Sequence, residues 1–199
     1  MHDDTSDRAH DQHDHKLFPP ERAHLLDDES RLSLLSEETL AELLALDGNE
    51  DIADLGSGTG FWTNRVARWT TGTVYGVDSQ SVMHEKHRAH GMPANVRLVL
   101  ADLDALPLPP ASLDRAFSVN AFHEAHAPEG LARLAAALRP GGRLVVVDWR
   151  RAEEAAETGP PMRFRLDKEE VSETLSPWFA TDFAEDLNAL MYAVVAVVR

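Results

Sequence analysis

The chain of 199 residues contains no cysteine, which excludes a disulfide framework, a thiolate nucleophile and a zinc site with cysteine ligands. Lysine is scarce too, because only Lys16, Lys86 and Lys168 stand among the 19 basic residues and the rest are arginine. No stretch reaches the roughly 18 consecutive apolar residues of a membrane-spanning helix, and the N-terminus lacks the apolar segment of a signal peptide. We therefore expect a cytoplasmic protein without a membrane partner.

Negative charge dominates the composition. The 34 acidic residues exceed the 19 basic ones and give a formal net charge of −15 at pH 7. Nucleic acids are bound by basic surfaces, so this acidic protein is not expected to have a nucleic-acid partner. Many carboxylates with few lysines are typical of proteins from salt-accumulating organisms, and a GC-rich genome also favours arginine over lysine. A halophilic origin is therefore one of two open interpretations.

The first 16 residues differ from the rest of the chain. Residues 1–16 contain five aspartates and almost no apolar side chain, so we predict a disordered, acidic and His-rich tail. His10, His13 and His15 stand among aspartates and could bind a divalent metal weakly, but a solvated tail is favoured and no metal site is assigned. Residues 17–199 are long enough for a single domain with its own core.

Two N-terminal helices are predicted within residues 17–47. Pro20 suits the first turn of one helix, which runs to Leu26. Ser36 suits the N-cap of the second helix, which runs to Leu46 and carries leucines along one face. The part of it from Leu17 to about Leu35 is also the segment that could cover a bound cofactor.

Short apolar runs alternate with helical patterns along the rest of the chain. Strands are predicted at residues 51–55, 73–77, 96–100, 114–119, 144–147, 179–183 and 191–198. This alternation predicts an α/β fold with a doubly wound, seven-stranded, mostly parallel sheet and an antiparallel C-terminal strand. Ligands of such sheets bind outside the carboxyl ends of the strands.

The most informative segment is Asp51–Gly60, which reads Asp-Ile-Ala-Asp-Leu-Gly-Ser-Gly-Thr-Gly. A strand that ends in a glycine-rich turn and continues into a helix makes a nucleotide-sized site. The dinucleotide fingerprint is Gly-x-Gly-x-x-Gly, whereas here the third glycine comes one residue early and Phe61 replaces Gly or Ala. The spacing instead resembles the first motif of class I S-adenosylmethionine (SAM) methyltransferases.

Further segments fall in the order and spacing of that family. They are Asp54–Gly60, Asp78, Ala101–Asp102, Ser118–His123 and Leu138–Gly142. The chain is therefore similar to class I SAM-dependent methyltransferases over about residues 18–199, which implies a Rossmann-like fold. Within them it resembles small proteins loosely related to the ubiquinone/menaquinone C-methyltransferases, on the segments Pro20–Arg22, Val146–Trp149 and Gly159–Leu166.

The resemblance implies SAM as the cofactor and a set of residues that hold it. One carboxylate can accept hydrogen bonds from both ribose hydroxyls, and Asp78 stands at the end of the second strand for that role. Asp102 could accept from the adenine amine beside the Leu103 amide, or it could be a turn acid. The cofactor-binding residues so assigned are Asp54, Gly56, Ser57, Gly58, Gly60, Asp78, Ser79, Asp102, Leu103 and Asn120.

The residues after the fourth strand lie nearest the transferred methyl group in this family. His123 is the candidate general base or substrate positioner, because an imidazole titrates near neutrality, and Glu124 could orient it. Related proteins often carry a second histidine where Glu124 stands, and His123 could instead cap a loop or pack against a helix. His126 is a further candidate in this loop.

An arginine cluster follows the fifth strand and allows two interpretations. It could hold a carboxylate or phosphate of the substrate, or it could pair with Glu153, Glu154 and Glu157. Its members are Arg150, Arg151, Arg163 and Arg165.

The predicted function is SAM-dependent methyl transfer to an unidentified small-molecule acceptor, through carbon, nitrogen or oxygen. The alternatives are a non-catalytic SAM-binding or interaction protein and, third, a nicotinamide-dependent oxidoreductase, which the glycine spacing disfavours. The oligomeric state is open, and a dimer is one possibility.

Overall fold

Among the described residues, seven strands form one sheet in the order β3-β2-β1-β4-β5-β7-β6. The computed structural model describes residues 17–124 and 127–199, so the predicted tail of residues 1–16 lies outside this part. The strands are Ile52–Leu55 (β1), Val74–Asp78 (β2), Val96–Leu100 (β3), Leu113–Val119 (β4), Leu138–Trp149 (β5), Phe179–Asp186 (β6) and Met191–Val198 (β7).

The sheet is parallel except at β7, which runs antiparallel to both β5 and β6. The predicted α/β class, the seven strands and the antiparallel C-terminal strand are therefore confirmed. Strands β1 and β4 are neighbours although β2 and β3 lie between them in the chain, so the strand order reverses there. In doubly wound sheets, ligands bind at the carboxyl ends of the strands at such a switch point.

Helices cover both faces of the sheet. The α-helices in the described ranges are Glu37–Leu44 (α1), Phe61–Val66 (α2), Ser81–His90 (α3), Pro128–Ala137 (α4) and Lys168–Leu175 (α5). Residues that alternate along each strand supply two separate apolar clusters: Phe117 and Val145 pack with α1 and α2, whereas Ala116 and Val146 pack with α4 and α5. No helix of the described residues is long and apolar enough to cross a membrane.

The helix starts follow local chemistry. The Ser36 hydroxyl accepts a hydrogen bond from the Thr39 N–H at 3.1 Å, as an N-cap does. Asp167 and Glu170 form a capping box at the start of α5. The first predicted helix is a 3-10 helix, Pro20–Asp27, and a second 3-10 helix, Glu29–Ser33, follows it.

The helix predicted to reach Leu46 ends at Leu44. Ala45 adopts a left-handed backbone conformation with φ of 48°, and an L-residue in that region cannot continue a right-handed helix. The hydrophobic pattern continues through Leu46, so it could not locate this end.

The fifth strand is much longer than the predicted residues 144–147, because it begins at Leu138, directly after α4. Leu138 pairs with Leu113, and the register then shifts before Arg115 pairs with Arg143. The Pro-Gly-Gly sequence of Arg139–Gly142 predicts the end of the preceding helix, and in the structure this segment lies inside an irregular part of the strand, where Gly141 has φ of 77°.

The sequence pattern of α3 predicts that Val82, Met83 and His87 share one face and that His84 is exposed, but the structure buries His84. Its side chain is buried between α3 and the sheet, with a hydrogen bond to the backbone of Gly76. The α3 helix therefore places both His84 and His87 against the sheet, next to the predicted ligand turn.

Candidate functional site

The turn after β1 requires its three glycines. Gly56, Gly58 and Gly60 have φ of 79°, 52° and 88°, values that side chains rarely allow. A Cβ at Gly56 would lie 2.3 Å from the Ala121 Cβ, and one at Gly60 would lie 2.1 Å from the His87 Nε2. The turn therefore packs tightly on the β4 loop and on α3, and these contacts fix its shape.

Asp78 ends β2 and holds this turn. Its Oδ2 accepts a hydrogen bond from the Gly58 N–H at 2.8 Å, and its Oδ1 accepts one from the Gln80 N–H at 2.9 Å. Each carboxylate oxygen has room for a second hydrogen bond. The carboxylate therefore stands at the glycine turn with acceptor capacity left for a ligand.

Asp54 lies buried at the carboxyl end of β1. Its Oδ2 accepts from the Thr63 hydroxyl at 2.6 Å. Burial raises the pKa of Asp54 to about 7, although the Thr63 hydrogen bond and the charge of Arg31 oppose that rise. The carboxyl is therefore partly protonated at neutral pH and would ionise if a cation arrived beside it.

Arg31 was not predicted as a site residue. It lies on the second 3-10 helix, where its guanidinium donates to the Leu26 carbonyl at 2.6 Å and lies 4.7 Å from the Phe61 ring centroid. Burial lowers its pKa to about 10, against the favourable charge of Asp54. The sequence around it gives no motif, so only the fold could bring this arginine to the glycine turn.

Residues 17–35 form a segment that we call the N-terminal cap, and it lies over the glycine turn as the sequence suggested. Thr59 donates to Asp27 at 2.6 Å, and Gln80 donates its side-chain N–H to the Phe18 carbonyl at 3.1 Å. A Cβ at Gly58 would lie 3.1 Å from Leu26. The cap therefore contacts both sides of the site at the ends of β1 and β2.

Two buried polar atoms of the site have no hydrogen-bond partner among the described residues: the Ser57 hydroxyl and the Asn120 side-chain oxygen. Asn120 follows β4 in a left-handed conformation with φ of 61°. Its N–H donates to the Val147 carbonyl at 2.9 Å, which fixes the start of the loop. Unsatisfied buried polar atoms are costly, so these two atoms fit a site that is completed by a polar ligand.

The two residues assigned to adenine follow β3. Asp102 is exposed and caps the 3-10 helix Leu103–Ala105, and its Oδ1 accepts from the Asp104 N–H at 3.0 Å. This turn role matches one of the two sequence interpretations and leaves the other oxygen available. A narrow apolar crevice lies next to this 3-10 helix, and its apolar lining consists of Leu55, Leu103, Leu106, Phe122, Leu131 and Leu134. Ser79, also assigned to the cofactor, is exposed beside Asp78.

His123 follows β4 and is paired with Asp148, which lies near the end of β5. The His123 Nδ1 lies 3.0 Å and 2.9 Å from the two Asp148 oxygens, and the His123 backbone N–H donates to Oδ2 at 3.1 Å. Both side chains are buried, at 4% and 2% exposure. Burial alone would lower the pKa of His123, but the charge and hydrogen bond of Asp148 outweigh it, and the pKa is raised.

Glu124 is not the residue that orients His123, because Asp148 occupies that position. Burial raises the pKa of Glu124 to about 7, with His123 opposing the shift and Asp78 and Asp148 adding to it. The Glu124 carboxyl is therefore half-buried and close enough to Asp78 and to the His123 pair for their charges to act on it. His126, the further loop candidate, lies outside the described residues.

The arginine cluster serves the structure rather than an open anion site. Arg165 is buried and donates to the carbonyls of Pro160 and Arg150, at 2.9 Å and 2.8 Å, and to that of Thr158. The acids that pair with Arg150 and Arg151 are Asp186, Asp167 and Glu170, not the predicted Glu153, Glu154 and Glu157. Arg163 lies over the Phe164 ring at 4.5 Å. No cluster of the described residues could hold a metal ion.

Known proteins share this domain and this fold. Residues 52–142 match the family model of a methyltransferase domain. A SAM-dependent methyltransferase from Aquifex aeolicus superposes with a TM-score of 0.84 at 26% identity, over 92% of this chain and 100% of that one.

Two curated relatives match over smaller parts of their length. The sterol 24-C-methyltransferase of Eremothecium gossypii is 27% identical over 158 residues, which is 77% of this chain and 42% of that protein. The dimethylglycine N-methyltransferase of Parasynechococcus marenigrum is 29% identical over 102 residues, 49% of this chain and 36% of that protein. The chain thus spans about two fifths of the length of these relatives. Their names cover transfer to carbon and to nitrogen, so the narrower resemblance to quinone C-methyltransferases stays a prediction.

Proposed function

Because the chain carries a methyltransferase domain on the class I SAM-dependent methyltransferase fold, we propose that it transfers the methyl group of SAM to a small-molecule acceptor. The observation that carries the proposal is the hydrogen bond between Asp78 and the Gly58 N–H, beside the partly protonated Asp54. It sets carboxyl groups around a backbone turn where the strand order reverses. A cationic nucleoside fits such a site better than an anionic dinucleotide does.

Each part of SAM has a matching group in the proposed site. Asp78 takes the ribose hydroxyls, while Asp102 and the Leu103 amide take the adenine beside the apolar crevice. The amino-acid end goes to the glycine turn near Asp54, where Arg31 offers a cation to its carboxylate. Ser57 and Asn120 add polar atoms that have no partner among the described residues.

When bound, SAM supplies a methyl group that is activated by the sulfonium. The residues of the chain must then align the acceptor, exclude water and remove a proton where the nucleophile carries one. We assign the removal of this proton to His123, and Glu124 is the next residue in the chain. The N-terminal cap, which contacts Thr59 and Gln80, excludes water from the turn.

The alternatives gain no support from the relatives. A nicotinamide-dependent oxidoreductase would need the dinucleotide glycine spacing, which the turn lacks. A non-catalytic SAM-binding protein would retain the cofactor site and lack turnover. Fold alone does not separate it from an enzyme.

Isothermal titration calorimetry with SAM, S-adenosylhomocysteine, NAD and NADP tests the proposal. We expect S-adenosylhomocysteine to bind in the micromolar range, roughly −7 to −9 kcal/mol, and NAD and NADP not to bind. Binding of NAD without binding of SAM would refute the cofactor assignment. A homocysteine-release screen of quinols, phenols and small amines then separates the enzyme from the non-catalytic protein, which would bind SAM and never turn over.

A further inference from the structure

Asp148 receives three hydrogen bonds at the carboxyl end of β5. The donors are the His123 ring Nδ1, the His123 backbone N–H and the Trp149 backbone N–H, the last at 2.8 Å. We propose that Asp148 is a positioning residue that leaves the His123 Nε2 as the proton acceptor, so that the methyl acceptor reacts through a hydroxyl oxygen. This inference rests on the proposed function and narrows its substrate class.

The geometry fixes which ring nitrogen carries the proton. An ionised carboxylate only accepts hydrogen bonds, so the His123 Nδ1 must be the donor at 2.9 Å from Asp148 Oδ2. The backbone bond from His123 to the same oxygen holds the residue in place. None of the hydrogen bonds among the described residues uses Nε2. The ring is thus oriented as in catalytic pairs where a carboxylate selects the basic nitrogen.

The charged groups around His123 act on its pKa in opposite directions. The titratable groups that act on His123 are Asp148, Glu124 and Arg165. Arg165 comes from the segment after β5, where it is buried with its guanidinium 5.8 Å from the Trp149 ring centroid, and its charge also acts on Asp148. Tyr192, opposite Asp148 on β7, is buried and in its neutral form.

The loop after β4 connects this pair to the cofactor end of the site. A Cβ at Gly56 in the glycine turn would lie 2.3 Å from the Cβ of Ala121, which is in the same loop as His123. The charges of Asp78 and Asp148 both act on the Glu124 carboxyl, so these groups are close enough to interact. The Asp148 and His123 pair is therefore a neighbour of the predicted cofactor site and not of a remote surface.

A hydroxyl acceptor suits these surroundings better than an amine. Amines are ammonium cations near neutral pH and need a free carboxylate to hold them. Asp148 is occupied by three N–H groups, and Glu124, which accepts a hydrogen bond from the Phe18 backbone, is about half protonated at neutral pH because its pKa is about 7. A neutral hydroxyl brings its own proton: the O–H bond breaks, Nε2 gains the proton, and the oxygen uses the electron pair for its new bond to the methyl carbon. The bond from that carbon to the sulfonium sulfur breaks at the same time, and S-adenosylhomocysteine would leave with its electron pair.

Nitrogen-15 NMR of the His123 ring tests the positioning role without cofactor. We expect the wild-type neutral ring to be protonated at Nδ1 and unprotonated at Nε2. Asp148→Asn should abolish this preference and lower the pKa of His123, since burial and Arg165 then dominate. A neutral wild-type ring protonated at Nε2 would overturn the proposal even if the variant does not fold. Asp182→Asn, a change at an exposed carboxylate of β6, is the control and should leave the ring unchanged.

Rates with matched acceptors test the substrate class. The probes are pairs that differ only in the nucleophile, such as benzyl alcohol with benzylamine and 2-phenylethanol with 2-phenylethylamine, because these amines are cations at neutral pH. We expect turnover of hydroxyl members only, with an acidic limb in the pH profile that Asp148→Asn moves to lower pH while kcat falls roughly 10²-fold or more. Three results would count against the hydroxyl class. They are an acidic limb of the pH profile that Asp148→Asn does not move, turnover of the amines, and no turnover in a protein that binds S-adenosylhomocysteine. Failure to bind S-adenosylhomocysteine would instead refute the proposed function.

Discussion

Asp78 accepts a hydrogen bond from the Gly58 N–H at 2.8 Å, so the end of β2 is bonded to the middle glycine of the turn that follows β1. This bond joins the two strands at the point where the cofactor is expected. One carboxylate thereby shapes the turn and also remains able to accept from a ligand. The consequence is that changes at Asp78 affect turn and ligand together.

Asp78→Ala should weaken S-adenosylhomocysteine binding at least about tenfold, because hydrogen bonds to a charged group contribute about 1.5–3 kcal/mol each. Calorimetry measures the affinity, and circular dichroism checks that the fold persists. Asp182→Ala, an exposed carboxylate on β6, is the control and should bind as the wild type does. Equal affinity in the Asp78 variant would make it a turn residue only.

Gly60→Ala should destabilise the protein more than Gly141→Ala does. Both glycines have positive φ, 88° and 77°, so both substitutions carry the left-handed penalty of about 1–2 kcal/mol. Only the Cβ at position 60 would meet a neighbour, the His87 ring, at 2.1 Å, whereas position 141 is open. We expect an additional loss of about 1–3 kcal/mol from overpacking. Urea unfolding measures both, and equal losses would contradict the tight contact with α3.

Removal of the N-terminal cap should weaken cofactor binding. Deletion of residues 1–16 alone should leave the melting temperature and the affinity nearly unchanged, and it serves as the control. Deletion of residues 1–33 removes Leu26, Asp27 and Arg31 from the glycine turn. Calorimetry with S-adenosylhomocysteine compares the two proteins. Loss of binding in the shorter deletion would contradict the tail prediction.

Binding of SAM should release protons at neutral pH. Burial raises the pKa of Asp54 and of Glu124 to about 7 each, above their values in an unfolded chain, so the empty site holds protons. A cationic ligand favours the ionised carboxyls, and affinity for SAM should therefore increase from about pH 6 to about pH 8. Calorimetry in two buffers with different ionisation enthalpies counts the protons.

The matched ligand for that experiment is S-adenosylhomocysteine, which lacks the sulfonium charge and should release fewer protons. Glu124→Gln cannot ionise and should reduce the difference between the two ligands. If the two ligands still differ by the same number of released protons in this variant, the sulfonium does not lie near Glu124.

His123→Ala separates catalysis from binding. We expect affinity for S-adenosylhomocysteine to stay within about twofold and methyl transfer to fall by roughly 10²-fold or more, the usual scale of a lost general base. The measurement pairs calorimetry with homocysteine release on an acceptor found in the screen. Normal turnover would show that alignment suffices and that His123 is a structural residue.

The family, the fold and the cofactor were predictable, since they depend on local patterns. The glycine turn and Asp78 are strand-end features, and strand ends of a parallel sheet meet at one edge whatever the loops do. The pairing of His123 with Asp148 was not predictable, because it requires the register that sets Val119 opposite Val147. The sequence alone suggested Glu124 as the residue that orients His123. Glu124 is adjacent in the chain but does not orient the imidazole.

Three further features could not be predicted for the same reason, because they depend on contacts between distant parts of the chain. His84 was predicted to be exposed because Val82, Met83 and His87 define one face of its helix, yet a hydrogen bond to the Gly76 backbone allows its burial. Arg31 lies in a 3-10 segment with no periodicity to read. The arginines after β5 found partners on α5 and at the end of β6, elements far along the chain.

Strand β5 has a hydrogen-bonded neighbour on each side, β4 and β7, over the residues that lead to Asp148. His123, in contrast, lies in the 3-10 helix Phe122–Glu124. In native-state hydrogen exchange, the amides of residues 145–147 should be among the last to exchange, and those of the short 3-10 helix should exchange earlier. We therefore expect the Asp148 carboxylate to lie in one of the slowest-exchanging parts of the described residues. The His123 imidazole is then the side chain that adjusts when an acceptor binds.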